Sequence, residues 1–319
     1  MPTNTQRPQP EVSRSVVAGV DDYSRSVAGV KIEAVRTASG TGPNRVLAVR
    51  DDRFTLTSCD IGFPMMSRTT VDDGRIILAH IAEAPVGSRW CETDLTPGLV
   101  IAYGPGAEHT AVNLPGLRFS FVIAGHDELA ALADRFEVDI TPPPNGRVRA
   151  LGPNRSTRAA GAAQEALAAD ADRGVRSLGD RADDVLRTMV DAFAGLDPLQ
   201  PIGRRSRIDS RHVTHVCLDY AMATQRIPSI TELCVTSHLS ERRLRQAFTD
   251  EFDVPPSRFF RAWALEAAHR RLRACERSEC TVAEVATDLG FCHLGRFAGH
   301  YRKVFGETPS DTLQTNSVG

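Results

Sequence analysis

The stretch GFCHLGRFAGHYRKVFGETPSDTLQ, residues 290–314, decides how the rest of the chain is interpreted. It follows TVAEVATDLG, in which Thr281 and Glu284 have the spacing of a capping box at a helix start. Apolar residues recur at helical spacing on both sides of Gly290, a residue type that suits the left-handed position at a helix end. A helix, a glycine turn and a second helix form the arrangement of a DNA-binding helix-turn-helix.

The same pattern occurs a second time upstream. Ser229 and Glu232 form another capping box, 52 residues before the first pair. Residues 256–275 lie between the two units and predict one helix able to pack against both. A helical bundle that happens to repeat is the alternative interpretation. The apolar positions that recur 53 residues later are Leu244, Phe248, Phe252 and Pro256, which match Phe297, Tyr301, Phe305 and Pro309.

On these residues, the region 208–314 resembles the double helix-turn-helix DNA-binding domain of the AraC/XylS family of bacterial transcription regulators. The run HLGRFA, a Tyr at position 301 and the run PSDTL are similar to the XylS-like branch. The resemblance implies an all-α domain that binds double-stranded DNA and a protein that contacts RNA polymerase. It also implies a ligand-responsive activator, with an aromatic carboxylate as the expected class of effector.

The first recognition helix is expected to begin near Ser240, and its spacing turns Leu244 and Phe248 toward the core. The opposite stripe carries side chains that can form hydrogen bonds. Arginine pairs with guanine and glutamine with adenine in the major groove, so this face suits DNA reading. The resemblance places base contacts at Arg242, Gln246 and Thr249.

In the second recognition helix, Phe297 and Tyr301 point inward and the resemblance makes Arg296 the principal reader. Gly299 stands where the family usually has a side chain that touches DNA, so readout there is expected to be poorer. A phosphate contact or a solvated charge is the alternative for each arginine. The predicted DNA-binding residues are Arg242, Arg245, Gln246, Thr249, Arg296, His300 and Lys303.

Length and charge fit a regulator with two domains. The chain has 319 residues and a formal net charge of −2. From Arg204 onward it carries 17 Lys and Arg against 14 Asp and Glu, a net charge of +3 that leaves −5 for the remainder. An acidic sensor and a mildly basic reader suit a DNA-binding protein, although +3 alone lies within ordinary variation.

The cysteines and the hydropathy pattern bear on location. The seven cysteines form no CxxC pair. The sequence shows no signal peptide and no apolar run long enough to span a bilayer. These features predict a cytoplasmic protein with reduced thiols and no membrane association.

The histidines and other polar residues bear on whether the chain is an enzyme instead. His80, His109 and His126 lack the paired spacing of a metal-binding cupin, and Glu108 and His109 are expected on opposite faces of a strand. No catalytic triad, phosphate-binding glycine loop or carboxylate pair is evident. We therefore expect no catalytic residue, no metal and no cofactor.

The amino-terminal part predicts β-structure. Residues 1–43 are polar and weakly patterned, which predicts a mobile segment. Short β-branched runs with Gly/Pro turns then predict a small barrel or sandwich, and the resemblance implies a cupin-like β-barrel. The expected fold class is α+β, with this barrel and flanking helices followed by the all-α domain. The predicted strands are 45–49, 75–81, 99–103 and 117–123.

Helical patterns follow at 127–136, 155–170 and 180–194. The last two helices either provide the surface of a homodimer or cover the barrel, and the sequence leaves both open. Residues 44–195 are expected to form a regulatory, ligand-sensing and dimerisation domain, and residues 196–207 a linker.

The mouth of a barrel is a natural site for a small molecule, but the sequence leaves the ligand-binding residues unknown. A ligand-independent DNA-binding regulator, controlled by its abundance or by a protein partner, is the alternative function. Side chains able to supply cationic and aromatic contacts, or equally to be surface charges and core aromatics, are Arg75, Arg89, Trp90, Tyr103 and Arg118.

Overall fold

A computed structural model describes residues 9–91, 93–194, 210–275 and 280–315 of the chain. Its amino-terminal part contains two antiparallel sheets with helices, and its carboxy-terminal part is helical, so the fold class is α+β. The linker predicted at 196–207 and residues 1–8 lie outside the described residues.

The strands of the described residues all belong to the amino-terminal part. They are β1 (Glu11–Val17), β2 (Val30–Arg36), β3 (Asn44–Arg50), β4 (Phe54–Asp60), β5 (Met65–Val71), β6 (Arg75–Glu83), β7 (Arg89–Trp90), β8 (Thr93–Asp94), β9 (Val100–Tyr103), β10 (Glu108–Asn113), β11 (Arg118–Gly125) and β12 (Val148–Leu151). All four predicted strands are present.

The helices are distributed over both parts of the chain. They are α1 (Val20–Ser26), α2 (His126–Arg135), α3 (Arg155–Asp172), α4 (Gly179–Ala194), α5 (Ser210–Thr224), α6 (Ile230–Ser237), α7 (Glu241–Phe252), α8 (Pro256–Ala274), α9 (Val282–Asp288), α10 (Leu294–Phe305) and α11 (Pro309–Thr315). None of these helices is both long enough and apolar enough to cross a membrane.

The strands form two open sheets. The first has the order β1-β3-β4-β11-β6-β9-β12 and the second the order β2-β5-β10-β7-β8. Strands β1 and β12 at the edges of the first sheet, and β2 and β8 at the edges of the second, each have one neighbour among the described strands, whereas a barrel has no edge. The expectation of a closed cupin-like barrel is therefore wrong, and the sandwich that the strand pattern also allowed is found.

Side chains of the first sheet alternate between two hydrophobic cores, as β-strands require. In β11, Phe119, Phe121 and Ile123 enter the core between the sheets. Val122 and Ala124 enter the core under α3 and α4, whose apolar faces are buried there. These two helices therefore cover one face of the first sheet, and their use as the surface of a homodimer stays a prediction.

The amino-terminal elements differ from the predicted mobile segment. Residues 11–36 contain β1, α1 and β2. Val20 and Tyr23 of α1 are 1% and 3% exposed and belong to the core between the sheets. The prediction of mobility is wrong for this part of residues 1–43, because a few apolar residues in a polar stretch are enough to anchor it.

The carboxy-terminal helices follow the predicted repeat. Ser229 and Thr281 cap α6 and α9 through the expected capping boxes, and Gly290 has a left-handed φ of 90°. The linking helix α8 contributes Phe259 and Phe260 to the core of the first unit and other residues to the core of the second. The expectation that it packs against both units is confirmed.

One cysteine pair departs from the prediction of reduced thiols. Cys275 and Cys280 form a disulfide between the end of α8 and the start of α9, with Cα atoms 6.4 Å apart. That separation lies within the range in which disulfides form. The two cysteines are five residues apart, a spacing that the CxxC pattern does not include, so the sequence did not predict this disulfide.

Candidate nucleic-acid interface

The first recognition helix, α7, buries one face and exposes the other. Leu244 and Phe248 are fully buried, and the Phe248 ring packs against the rings of Phe252, Phe259 and Phe260 at centroid distances of 5.5–6.2 Å. The four residues predicted to read DNA from this helix are all exposed and line one shallow concave surface with Glu241. They are Arg242, Arg245, Gln246 and Thr249.

Three of these four side chains are held by neighbours on the same helix. The Arg245 Nε donates to Glu241 Oε1 at 3.1 Å, and Gln246 Nε2 donates to Asp250 Oδ1 at 2.6 Å. The Thr249 hydroxyl donates to the Arg245 carbonyl at 2.9 Å. Such bonds restrict the rotamers of these side chains, and a side chain that is already ordered loses less entropy on binding.

The second recognition helix, α10, begins after His293, as predicted. Phe297, Tyr301 and Val304 are buried, whereas Arg296 and Lys303 are exposed. This confirms the predicted division of the helix into an inner and an outer face.

The repeat aligns the two recognition helices residue by residue. Both contain twelve residues and start 53 positions apart. Gly295 and Gly299 therefore occupy the positions that Arg242 and Gln246 hold in α7, and a Cβ added to either glycine would meet no atom within 4 Å. The second helix thus offers an open surface where the first offers hydrogen-bonding side chains.

Two further exposed arginines near α10 were not among the residues predicted from the sequence. Arg302 is exposed and is the counterpart of Thr249, so applying the repeat to each position would have found it. Arg261 on α8 is exposed and lies near His300, and the sequence pattern does not show which side of α8 meets α10. Burial first, then Arg261, Lys303 and Arg296, lowers the pKa of His300. The imidazole is therefore neutral at pH 7 within a cationic surface.

A buried polar network supports α10 from behind. The Tyr301 hydroxyl lies 2.7 Å from His269 Nδ1 and 2.8 Å from the Thr312 hydroxyl, and the His269 ring stacks on Phe305 at 4.2 Å. Burial, followed by the charge of Arg273, lowers the pKa of His269 to about 4. His269 is therefore neutral at pH 7, and these hydrogen bonds position α10 against α8 and α11 without an unpaired buried charge.

A cavity of about 40 Å³ lies between the two sheets. Trp90 and Tyr103 are among its lining residues, as is His109 of β10. The other predicted contact residues do not line it: Arg75, Arg89 and Arg118 pair instead with Glu128, Asp94 and Glu83.

The opposite face of the second sheet contacts the helical domain. The Thr110 hydroxyl donates to the buried carboxylate of Glu251 on α7. His215 Nδ1 on α5 lies 3.0 Å from Oε2 of Glu108. Val35 of β2 and Met66 of β5 join the hydrophobic core of the first helix-turn-helix unit. Glu108 and His109 thus lie on opposite faces of β10, as predicted, with one side toward the helices and the other toward the cavity.

The helical domain is similar in sequence to domains of known proteins. A helix-turn-helix domain model matches residues 233–315, which include both recognition helices. The solved structure of a probable AraC family transcriptional regulator from Rhodopseudomonas palustris is 32% identical over 33% of this chain and 97% of that chain, with a TM-score of 0.30. An activator of the XylDLEGF operon from Pseudomonas putida is 37% identical over 86 residues. The chain belongs to the AraC family of helix-turn-helix regulators.

The AraC-family match with curated relatives is partial. The matched region is 27% of this chain and 27% of the first P. putida activator, so the chain spans about a quarter of that relative's length. A second P. putida activator of the same operon is 38% identical over 98 residues, which is 30% of this chain and 60% of that protein. Residues 233–315 thus form a helix-turn-helix domain, an arrangement that binds DNA.

Proposed function

We propose that the chain is a sequence-specific transcription activator that reads DNA with both recognition helices. The observation that carries this proposal is the pair of matched helices α7 and α10, each with a polar exposed face opposite a buried aromatic pair. Two recognition helices in successive major grooves contact DNA about 34 Å apart along its axis. The base and phosphate contacts come from Arg242, Arg245, Gln246, Thr249, Arg296, His300 and Lys303.

Arg296 is the principal base reader of the second unit in this proposal. It lies in the first turn of α10, is exposed, and is flanked by Gly295 and Ala298, which leave room for a base edge. Arginine binds guanine through two parallel hydrogen bonds in the major groove. Lys303 lies near the end of the helix, where a recognition helix leaves the bases and meets phosphate.

Responsiveness to a ligand is supported by the second sheet. Strands β2, β5 and β10 place Ile32, Thr69 and His109 on the cavity side. Val35, Met66 and Thr110 of the same strands face the DNA-binding domain. A ligand that shifts these strands changes both faces at once, because a strand's side chains alternate across a shared backbone.

The partners follow from the resemblance and from the relatives' names. Activation of transcription requires contact with RNA polymerase, and we infer a homodimer that works in the cytoplasm. The resemblance predicts an aromatic carboxylate as effector, whereas no charged side chain lines the cavity within the described residues.

The test of DNA reading is a selection of bound sequences from random duplexes by the full chain. Arg296→Ala should weaken binding to the selected site by about 1–3 kcal/mol and relax preference at one base pair. The control is Arg187→Ala, because Arg187 lies on α4 in an ion pair with Asp184. A uniform loss on all sequences, with a salt slope smaller by about one unit, would instead identify Arg296 as a phosphate contact.

A ligand-independent regulator is the second candidate, and the small volume of the cavity favours it. In that case the affinity of the full chain for its selected site stays the same when a molecule binds between the sheets. Measuring the affinity with and without a bound cavity ligand separates the two candidates.

A further inference from the structure

Two of the seven cysteines meet at the joint between the linking helix and the second helix-turn-helix unit. Cys275 is the C-cap of α8, and Cys280 immediately precedes Thr281, the residue that caps α9. Their disulfide spans five positions of the chain. Both side chains are half-buried against the core of the second unit, which leaves part of each open to small reagents in solution.

Burial protects three of the other cysteines. It raises the pKa of the Cys59 and Cys217 thiols to about 12, and Cys91 is buried as well. The thiolate is the reactive form of cysteine, so such buried thiols are inert at pH 7. Cys234 is half-buried and Cys292 is exposed. Because Cys292 belongs to the second unit and is a free thiol, it is the matched control for a reaction at the disulfide.

The disulfide supplements a weaker link between α8 and α9. Arg271 of α8 pairs with Asp288 of α9, with Nη2 and Oδ2 2.8 Å apart. The two side chains are 46% and 58% exposed, and an ion pair in water contributes little to stability. A covalent bond that closes a loop also limits the unfolded chain, so it restrains the start of α9 more firmly than this ion pair does.

Helix α9 supports the second recognition helix. Val285 and Ala286 of α9 share a buried core with Phe297 and Tyr301 of α10. The ring of Phe291, in the turn between the two helices, lies 4.8 Å from the ring of Phe297. The described residues of this core all belong to the helical domain, so the amino-terminal sheets do not stiffen it. A looser α9 therefore loosens α10.

The first unit is built differently. Its cysteines, Cys217 and Cys234, are free thiols. Its core includes Val35 and Met66 of the second amino-terminal sheet, which hold it from the other side. Opening the disulfide at the end of α8 therefore acts on the second unit and leaves the first in place.

We propose that Cys275 and Cys280 form a redox modification site that exchanges with low-molecular-weight thiols and disulfides, and that closing it strengthens the reading of DNA by the second unit. Disulfides in a reducing cytoplasm are usually transient and either catalytic or redox-sensing. The effect on DNA rests on the proposed function, which places the chain in the cytoplasm and α10 in the major groove.

Closure oxidises the two cysteines by two electrons and reduces one small disulfide, such as glutathione disulfide. The thiolate of one cysteine attacks a sulfur of glutathione disulfide, whose bond breaks and releases one glutathione. The second thiolate attacks the protein sulfur of the mixed disulfide and releases the second glutathione. The two protons lost by Cys275 and Cys280 end on the two glutathione thiols. Excess reduced glutathione drives the same steps backward.

The first measurement equilibrates the full chain in glutathione buffers of different ratio, alkylates the free thiols after unfolding and identifies them by peptide mass. Cys275 and Cys280 should be alkylated together in millimolar reduced glutathione and protected together in excess glutathione disulfide. Cys59 should be alkylated in every buffer. A pair that stays alkylated in excess glutathione disulfide, or one that stays oxidised in millimolar reduced glutathione, overturns the proposal.

Amide hydrogen exchange of the oxidised and reduced forms tests the structural consequence without DNA. Reduction should speed exchange in α9 and α10 and leave exchange in α7 unchanged, because the first unit has its own core. Equal effects on α7 and α10, or no effect on either, would contradict the coupling between the disulfide and the second unit.

Binding to the selected DNA site tests the functional consequence. The oxidised chain should bind at least about fivefold more tightly than the reduced chain, at the lower end of typical coupling between two sites. This ratio should persist when the half-site under α7 is randomised and vanish when the half-site under α10 is randomised. Equal affinity of the two forms, or a ratio that survives randomising the α10 half-site, overturns the proposed effect on DNA.

Variants assign the response to the paired thiols. Cys275→Ser combined with Cys280→Ser should bind DNA like the reduced parent in either buffer, whereas Cys292→Ser should keep the full response. A response that persists in the double variant, or that is lost in Cys292→Ser, rules out the assigned pair. If neither form prefers selected over random DNA while thiol exchange and amide exchange behave as expected, the proposed DNA reading fails and the redox site stands.

Discussion

The two helix-turn-helix units share a sequence pattern but differ in what they pack against. The first unit has a core that includes Val35 and Met66 from the second amino-terminal sheet. The core of the second unit draws all its described residues from the helical domain. Its contacts with the amino-terminal part are peripheral, such as the bond from the Ser39 backbone N–H to the Lys303 carbonyl at 3.1 Å.

This difference assigns the units different tasks. A change between the sheets reaches α7 through its buried core and the bond from Thr110 to Glu251, whereas α10 meets the amino-terminal part only at its edge, as in the bond from Ser39 to Lys303. The polar face of α7 also carries more hydrogen-bonding groups than that of α10, where Gly295 and Gly299 stand. We expect the first unit to supply most of the specificity and most of the response to the sensor.

The largest expected effect comes from truncating a buried aromatic side chain in the core of either helix-turn-helix unit. Phe248 and Phe297 are 0% and 1% exposed, so truncating either to Ala should cost about 3–5 kcal/mol of stability. Phe248→Ala should also reduce amide protection in β5 and β10, because the core around Phe248 includes residues of the second amino-terminal sheet. Phe297→Ala should reduce protection in the second unit alone. Hydrogen exchange resolved by peptide measures both, and equal effects on the sheets would contradict the comparison.

The next effect concerns the pH dependence of stability where the linking helix α8 packs against the amino-terminal part. Glu266 on α8 is 3% exposed and faces Asp21, Arg36 and Arg270. Burial first, then Asp21, raises its pKa from 4.5 to about 7. The folded state therefore binds the proton more tightly than the unfolded state, and stability falls as the pH rises from about 4.5 to about 7. The loss is about 3 kcal/mol at most, and it is fully present above pH 7.

Glu266→Gln should remove this dependence and stabilise the chain above pH 7. The measurement is the free energy of unfolding in urea between pH 4.5 and 8. The control, Glu83→Gln, changes an exposed carboxylate on β6 and should keep the parental slope. A slope unchanged by Glu266→Gln would show that the carboxyl group titrates normally.

A smaller effect should appear in the DNA sequence preference at the two half-sites. The half-site under α7 should be the more sequence-restricted one, because α7 offers Arg242, Arg245, Gln246 and Thr249. Randomising each half-site separately and measuring information content tests this. Single mismatches should cost about 1–3 kcal/mol under the first unit and less under the second. Equal information content under both units would point to readout of DNA shape under α10.

The smallest effect is expected at Gly299. A Cβ there meets no atom within 4 Å, and the residue lies inside α10. Gly299→Ala should therefore raise stability by about 0.5–1 kcal/mol through a smaller loss of backbone entropy. Thermal unfolding measures it, with Gly42→Ala as a control in a non-helical stretch that is equally open. A loss of stability on Gly299→Ala would mean that α10 is strained at this position.

Local patterns predicted the helical domain well. The capping boxes at Ser229 and Thr281, the left-handed Gly290 and the linking helix depend on residues close together in the chain, and all are present. The inner and outer faces of α7 and α10 follow from helical periodicity alone. The amino-terminal sheets were predicted less completely, because strand pairing depends on residues far apart in sequence.

By itself, the sequence determined the family, the double helix-turn-helix and the polar faces of its recognition helices, since each is encoded by the order of neighbouring residues. The tertiary structure decided that the sheets stay open and that residues 11–36 close their core. It also decided that Trp90, Tyr103 and His109 meet in one cavity while Arg75 and Arg118 do not. Those outcomes depend on which strands pair and on which face each side chain takes, and a shift of one residue in register moves every side chain of a strand to the other face.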